Sequence, residues 1–307
     1  MKKAAVLLAL LFAAGAPAHA QDEPRNRFAS TEVASERFEV GALAVERHGR
    51  RGTPMILIPG LASGSWVWQD AIRTFRDDHV LYVVTLPGFD GRAPIAGNML
   101  DEVQKSLHQL IDSRKLARPV LVGHSLGGTL AIAIAAQHPN LAGGVVSIDG
   151  LPVFPGTEDM PPEQRPQLAS GIMRRMAGLT PAAFAGQQQQ YMRSIGVVDM
   201  ARADELAKLT ARSDPAATVQ YMAAVMAQDL RPGLPQITAP VLVLAPFLEL
   251  DATDPSAGMA SKVGYYTELM SGTPKLSVVG IPGARHFAMI DQPQRVTDAI
   301  RAFLKSR

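Results

Sequence analysis

Short runs of apolar residues, several of them closed by Gly or Pro, recur along the chain and predict buried β-strands. A continuous apolar run of this kind is typical of a strand that is covered on both faces of a parallel sheet. Two shorter strands are predicted on either side of Gly41, with Phe38 and Val40 before it and Leu43 and Val45 after it. The continuous runs occupy residues 55–58, 80–85, 119–122, 145–148, 241–244 and 276–279.

Segments with helical spacing separate these strands. Residues 100–116 repeat apolar side chains every three or four positions. Ser65 is expected to cap a helix that ends near Phe75. Strands that alternate with helices predict an α/β fold with a mostly parallel central sheet and helices on both faces. The other predicted helices span residues 126–137, 257–270 and 293–304.

The stretch from residue 151 to residue 235 breaks this alternation. It contains no convincing strand and is predicted to form a helical cap, inserted into an α/β core made of residues 21–150 and 236–307. The stretch also holds seven methionines, and methionine side chains can adapt to varied apolar ligands. The alternative is that most of these methionines pack the interior of the cap. The methionines in this stretch are Met160, Met173, Met176, Met192, Met200, Met222 and Met226.

Residues 1–20 have the pattern of a secretory signal peptide. Lys2 and Lys3 precede an apolar stretch at residues 4–14, and Ala18-His19-Ala20 fits a cleavage site. We therefore expect export across the inner membrane to a bacterial periplasm, with no stable membrane insertion after the signal is removed. A retained membrane anchor is the alternative.

Composition narrows the possible functions. Apolar residues make up 47% of the 307 positions, so a large core is feasible, and the net charge is only +2. Two of the positive charges lie in the predicted signal, and nucleic-acid binding therefore has little support. The chain has no Cys and no His pair with ligand spacing, so neither a metal nor an organic cofactor is implied.

The segment Gly123-His124-Ser125-Leu126-Gly127 lies between a predicted strand and a predicted helix. Strand, tight turn and helix form the setting in which this pattern is a nucleophile elbow, with its serine exposed at the carboxyl edge of the sheet. Ser125 is therefore the candidate nucleophile. The alternative is a glycine-rich turn that merely carries an exposed serine.

A serine hydroxyl needs a neighbouring base, and an imidazole can take and return a proton near neutral pH. Of the seven histidines, His286 follows the last predicted strand and precedes the last helix. Its loop opens at the same sheet edge as the elbow, so His286 is the predicted general base. His124 is expected to point away from Ser125 and to serve in packing.

These motifs together resemble those of the α/β-hydrolase fold superfamily, over nearly all of the mature chain. The resemblance implies a serine esterase or related hydrolase with a helical cap and no cofactor. Pro59 stands where the superfamily usually has His, and Thr85 stands where it usually has Asp. The matching segments are residues 58–61, 86–89, 123–128 and 283–287.

The resemblance leaves two places for the acid of the triad. In most relatives the acid follows the strand after the cap, which here offers Glu249 or Asp251. In a minority, including some haloalkane dehalogenases, it follows the strand after the elbow helix, where this chain has Asp149. A carboxylate there could bind the far imidazole nitrogen. We favour Asp149, whose alternative role is to cap the turn before Gly150.

Two backbone amides are predicted to form the oxyanion hole, those of Leu61 and Leu126. Trp66 is a candidate to line the substrate pocket, and Trp68 lies close to it in sequence. Core packing is the alternative for at least one of these two side chains.

The sequence thus predicts acyl transfer on a small molecule, with an ester that has an apolar acyl part as the expected substrate. Serine rather than aspartate at the elbow argues against haloalkane dehalogenase or epoxide hydrolase chemistry. A lactonase, amidase, carbon–carbon hydrolase or perhydrolase could use the same triad. A non-catalytic binding protein on this fold is the alternative from a different class.

Overall fold

A computed structural model describes residues 32–252 and 258–307 of the chain. Its sheet contains eight strands, and each continuous apolar run of the sequence forms one of them. The strands are β1 (Glu36–Val40), β2 (Leu43–His48), β3 (Pro54–Ile58), β4 (Val80–Thr85), β5 (Val120–His124), β6 (Gly144–Ile148), β7 (Val241–Phe247) and β8 (Leu276–Pro282).

The order of the strands in the sheet is β1-β2-β4-β3-β5-β6-β7-β8. The pairs β1–β2 and β2–β4 are antiparallel, and every pair from β4 to β8 is parallel. The predicted α/β fold with a mostly parallel sheet is therefore confirmed. In this order β5 and β6 are neighbours, so the loops that follow them open side by side at the carboxyl edge of the sheet.

From β3 onwards, helices fill the connections between the strands. Ser65 begins a 3-10 helix, Ser65–Trp68, and its side chain caps nothing; the α-helix starts only at Gln69, so the predicted cap at Ser65 is wrong. The α-helices are α1 (Gln69–Phe75), α2 (Met99–Ser113), α3 (Leu126–Gln137), α4 (Arg165–Arg175), α5 (Pro181–Tyr191), α6 (Met200–Thr210), α7 (Pro215–Ala227), α8 (Met259–Leu269), α9 (Ala288–Asp291) and α10 (Pro293–Ser306).

Successive residues of a strand face opposite sides of a sheet, and β3 shows how the core uses both sides. Ile56 and Ile58 pack with residues of α2 and α3 on one face. Met55 and Leu57 pack with residues of α1 and α10 on the other face. The centre of the sheet is thus buried on both sides, which is why its central strands have continuous apolar runs.

Between β6 and β7 the chain forms α4 to α7, together with 3-10 turns and a π-helical turn at Met192–Gly196. The only β pairing in this described stretch is an isolated bridge between Val153 and Asp229. The buried Arg165 guanidinium donates hydrogen bonds to the carbonyls of Thr157, at 2.9 Å, and Gln228, at 3.1 Å. Arg165 therefore joins the first and last parts of the predicted cap.

The predicted signal peptide at residues 1–20 lies outside the described residues. Within the part of the chain that the structure describes, none of the helices has both the length and the apolar character needed to cross a membrane.

Candidate active site

Ser125 lies in a sharp turn between the end of β5 and the start of α3, and its φ is 52° with ψ at −118°. Positive φ is costly for a residue with a side chain and is often found at functional sites. The flanking glycines make the turn possible, because a Cβ on Gly123 would lie 2.1 Å from the carbonyl carbon of Gly127. A Cβ on Gly127 would lie 2.1 Å from the carbonyl oxygen of Ile58.

The loop after β3 borders the same turn. A Cβ built on Gly60 would lie 3.1 Å from the Cβ of Ser125, so the backbone that leads into Leu61 passes close to the serine. Leu126 is the first residue of α3, and the first amides of a helix have no acceptor within it. The structure thus brings the segments of Leu61 and Leu126 to Ser125, while their role as oxyanion donors stays a prediction.

His286 lies in the loop between β8 and α9, and its Nδ1 is 2.5 Å from Oδ2 of Asp149. The imidazole donates this hydrogen bond, because an ionised carboxylate can only accept. The backbone of Asp149 is also held, since its N–H donates to the carbonyl of Leu244 at 3.0 Å. Only 17% of the His286 side chain and 12% of the Asp149 side chain are exposed.

The environment of Asp149 favours its charged form. Burial alone would raise the pKa of the carboxyl group, but the charge and hydrogen bond of His286 and the hydroxyl of Tyr266 together hold that pKa below its ordinary value. Asp149 is therefore a carboxylate at neutral pH, able to orient the imidazole and to stabilise its protonated form.

The other two acidic candidates lie elsewhere. Asp251 accepts two hydrogen bonds of 2.7 Å from the guanidinium of Arg285. Glu249 is exposed in a 3-10 turn, Glu249–Asp251. The structure therefore brings Asp149 to the imidazole of His286, and it places Glu249 and Asp251 in other surroundings.

His124 has a contact that the sequence did not reveal. Its fully buried ring lies 4.7 Å from the ring of His286, centroid to centroid, and its Nε2 is 3.0 Å from the carbonyl oxygen of His286. A carbonyl only accepts, so Nε2 carries the proton. Burial, and then the charge of His286, lowers the pKa of His124 to about 3. His124 is thus a neutral donor that fixes the backbone of residue 286.

Two tyrosines complete the surroundings of the Asp149–His286 pair. Tyr266 of α8 donates its hydroxyl hydrogen bond to Oδ1 of Asp149. Tyr191, at the end of α5, places its ring 6.1 Å from the ring of His286 in an edge-on arrangement. Burial, followed by the charge of Asp149, raises the pKa of both phenols, so both stay neutral. Nothing in the sequence distinguishes these two tyrosines from others.

The π-helical turn at Met192–Gly196 supports the loop that carries His286. The N–H of His286 donates to the carbonyl of Ile195 at 3.1 Å, and the N–H of Phe287 donates to the carbonyl of Gly196 at 2.9 Å. Arg285 adds a hydrogen bond of 2.9 Å to the carbonyl of Arg193. The main-chain carbonyls of the predicted cap therefore bind the segment that carries the imidazole of His286.

Trp66 packs behind the same loop. It is 6% exposed, and its ring stacks on Phe287 with centroids 6.5 Å apart and planes 13° apart. Trp68 is 1% exposed. Both indoles therefore pack in the core, and substrate contact by Trp66 stays a prediction.

The comparison with known families agrees with this architecture. Residues 55–299 match the model of the alpha/beta hydrolase family. The match covers most of the chain, including the elbow, Asp149 and His286. The chain belongs to the alpha/beta hydrolase family.

Two curated relatives show how far sequence similarity extends. The chain is 34% identical over 148 residues to a 2-succinyl-6-hydroxy-2,4-cyclohexadiene-1-carboxylate synthase of Escherichia coli, a match that covers 48% of this chain and 58% of the relative. It is 29% identical over 140 residues to a pimeloyl-[acyl-carrier protein] methyl ester esterase of Aeromonas hydrophila. This match covers 45% of this chain and 52% of the relative. The chain thus spans somewhat more than half the length of these relatives.

A solved structure confirms the fold over a longer stretch. The enol-lactonase from Burkholderia xenovorans LB400 superposes with a TM-score of 0.67, covering 88% of this chain and 100% of its own. The two sequences are 19% identical, so the similarity concerns the fold alone.

Proposed function

We propose that the protein is a serine hydrolase that cleaves a carboxylic ester with an apolar acyl part through an acyl-enzyme. The observation that carries the proposal is the hydrogen bond between His286 and Asp149, next to the strained turn of Ser125. An imidazole bound to a carboxylate through Nδ1 keeps its other nitrogen available to accept a proton from a hydroxyl.

In the proposed reaction, Ser125 attacks the ester carbonyl while His286 removes the hydroxyl proton. Asp149 stabilises the imidazolium that forms, and the amides of Leu61 and Leu126 donate to the oxyanion. The imidazolium then protonates the leaving alcohol as the carbon–oxygen bond breaks. His286 next activates a water molecule, which attacks the acyl-enzyme and releases the acid.

The similarity to a methyl ester esterase supports an ester as the substrate. The predicted cap supports an apolar acyl part, because two of its methionines offer apolar surface to solvent. Met173 and Met200 are each 45% exposed, whereas Met192 is fully buried. The similarity to a synthase favours, as a second candidate, a non-hydrolytic reaction that uses the same three side chains.

The test is labelling of the purified protein by a fluorophosphonate probe, followed by turnover of p-nitrophenyl esters of graded acyl length beside lactones and amides. We expect labelling that disappears in Ser125→Ala, and ester turnover that disappears with it. A non-catalytic binding protein would not be labelled. Labelling without hydrolysis of any substrate in the panel would favour the second candidate.

We also propose that the protein is exported, because residues 1–20 have the charge, apolar stretch and cleavage pattern of a secretory signal. Determination of the amino terminus of the protein from a periplasmic fraction tests this. A mature chain that begins at Gln21 supports export, and a cytoplasmic chain that keeps residues 1–20 contradicts it.

A further inference from the structure

The two oxygens of the Asp149 carboxylate have different partners. Oδ2 binds Nδ1 of His286, and Oδ1 accepts the hydroxyl hydrogen bond of Tyr266. Tyr266 belongs to α8 and is only 3% exposed, so water does not compete readily for its hydroxyl. The carboxylate is therefore fixed from both sides, by one donor from the loop of the proposed base and one from a helix.

Two cationic side chains, those of Lys262 and Arg285, lie in the neighbourhood of this carboxylate. Lys262, one helical turn before Tyr266 on α8, places its ammonium group 4.8 Å from the centre of the Tyr266 ring. Burial would raise the pKa of Asp149, and the charge of Lys262 is one of the smaller contributions that lower it. The neighbouring Arg285 is already paired with Asp251.

The other titratable groups that face the pair are neutral. The ring of Tyr191 faces His286 from α5, and the ring of His124 faces it from the end of β5. The ring of Tyr265 lies 6.0 Å from that of Tyr266. Burial raises the pKa of each tyrosine and lowers that of His124, so none of them adds a charge near neutral pH.

We propose that Tyr266 is a positioning residue that holds the acid of the triad and sets the pH at which the base becomes active. The inference rests on the proposed function. A carboxylate that accepts from two donors binds each of them less strongly than it would bind one alone. The positive end of the Tyr266 hydroxyl dipole also opposes a positive imidazolium on the other side of the carboxylate. Both effects weaken the stabilisation that Asp149 gives to a positively charged His286, so removal of the Tyr266 hydroxyl should strengthen it.

The chain offers a matched control at the next position. Tyr265 lies on the same helix, and its hydroxyl donates to Glu158 in the predicted cap instead of Asp149. Tyr265→Phe removes the same atom as Tyr266→Phe, one residue away, without changing a contact of the Asp149 carboxylate.

The experiment compares the pH dependence of kcat/KM for a p-nitrophenyl ester in the two variants and the wild type. In Tyr266→Phe we expect the acid limb to move to higher pH by about half a unit to one unit. We also expect kcat to fall about tenfold with KM nearly unchanged, because the carboxylate that orients the imidazole loses one of the two donors that fix its position. The Tyr265→Phe profile should overlay that of the wild type. An acid limb that stays in place in Tyr266→Phe, or moves equally in both variants, would overturn the proposal.

A second measurement does not need turnover. NMR titration of the His286 imidazole, assigned by the signal that disappears in His286→Gln, should show its midpoint at higher pH in Tyr266→Phe than in Tyr265→Phe. An unchanged midpoint in a folded Tyr266→Phe protein contradicts the role of Tyr266. Absence of fluorophosphonate labelling in the wild type would instead contradict the proposed function, so the two failures are distinct.

Discussion

Asp149 keeps a negative charge although protein surrounds most of its side chain. A buried charge is tolerated only where partners compensate for the lost water, and Asp149 has His286 and Tyr266 on its two oxygens. Its own backbone is held at a φ of 54°, which is unusual for a residue other than glycine. The single residue thus combines a strained backbone with a fully bonded carboxylate, a combination typical of functional positions.

The first prediction concerns this carboxylate. Asp149→Asn should lower kcat by roughly 10³–10⁴-fold, because an amide neither holds the imidazole in the required tautomer nor stabilises its positive form. Ester turnover of the purified variant measures the effect. Glu249→Gln is the control, since Glu249 is exposed and away from His286, and its turnover should stay within about twofold of the wild type. Near-normal turnover in Asp149→Asn would contradict the assignment of the acid.

The second prediction concerns His124 and folding. Burial lowers its pKa from 6.5 to about 3, so the unfolded chain binds a proton at this residue that the folded chain does not bind. Its contribution to stability is complete above about pH 6.5 and is lost progressively as the pH falls towards 3. In this window the free energy of unfolding should fall by as much as about 1.4 kcal/mol per pH unit because of this residue.

Urea unfolding at several pH values, for the wild type and His124→Gln, measures that slope. The variant should be less stable at pH 7 but should lose stability less steeply between pH 6 and about pH 4. Parallel slopes for the two proteins would show that His124 is not held neutral.

At the scale of the elements, the loop between β8 and α9 is held by hydrogen bonds to several separate segments of the chain. The Arg285 guanidinium binds the Asp251 carboxylate through two nitrogens and the carbonyls of Arg193 and Val197 through a third. A planar, permanently charged group is well suited to several acceptors at fixed angles. Arg285 therefore joins the loop of His286 to the π-helical turn and to the segment after β7.

The third prediction follows from this arrangement. Arg285→Gln should destabilise the fold by about 1–3 kcal/mol and speed hydrogen exchange at the amides of His286 and Phe287. Arg193→Gln is the control, because the Arg193–Asp204 pair is exposed and such pairs contribute little to stability. Urea unfolding and amide exchange measure the two effects. Equal exchange rates in both variants would show that Arg285 does not hold the loop.

The sequence predicted the central strands well because β3 to β7 are buried on both faces and so form nearly continuous apolar runs. The predicted end of β7 lies three residues before the observed one. Ala245, Pro246 and Phe247 pair with β8, although they do not continue the aliphatic run. The positions of Ser125, Asp149 and His286 could be predicted because each follows a strand. Tyr266 could not, because its contact with Asp149 joins residues 117 positions apart and depends on the rotation of α8.

On the scale of the whole molecule, the stretch between β6 and β7 is tied together by one buried cation. Arg165 is 5% exposed, and it binds the carbonyls of Thr157 and Gln228 and the carboxylate of Asp229. Because these acceptors come from opposite ends of the stretch, Arg165 holds its entry and exit side by side. The segment that carries α4 to α7 is thereby closed at its two ends.

The fourth prediction is that Arg165→Met loosens the entry and exit of this stretch. The substitution leaves the carbonyls of Thr157 and Gln228 without their donor, whereas Asp229 keeps Arg231 as a partner. We therefore expect a loss of about 1–3 kcal/mol in the free energy of unfolding. Limited proteolysis should cut the variant between residues 157 and 230 sooner than the rest of the chain. Arg174→Met is the control, since Arg174 is exposed on α4. Equal cleavage of the two variants would contradict the role of Arg165.

The π-helical turn reaches the amides of His286 and Phe287 through carbonyl groups, which every amino acid possesses. Most substitutions in this turn leave those hydrogen bonds in place, provided that the backbone keeps its course. The exposed side chains of the turn, those of Arg193, Ser194 and Ile195, are consequently open to mutational drift at little cost to the backbone that carries His286. Descendants of this chain could thus change the surface beside His286 while inheriting the same placement of its imidazole against Asp149.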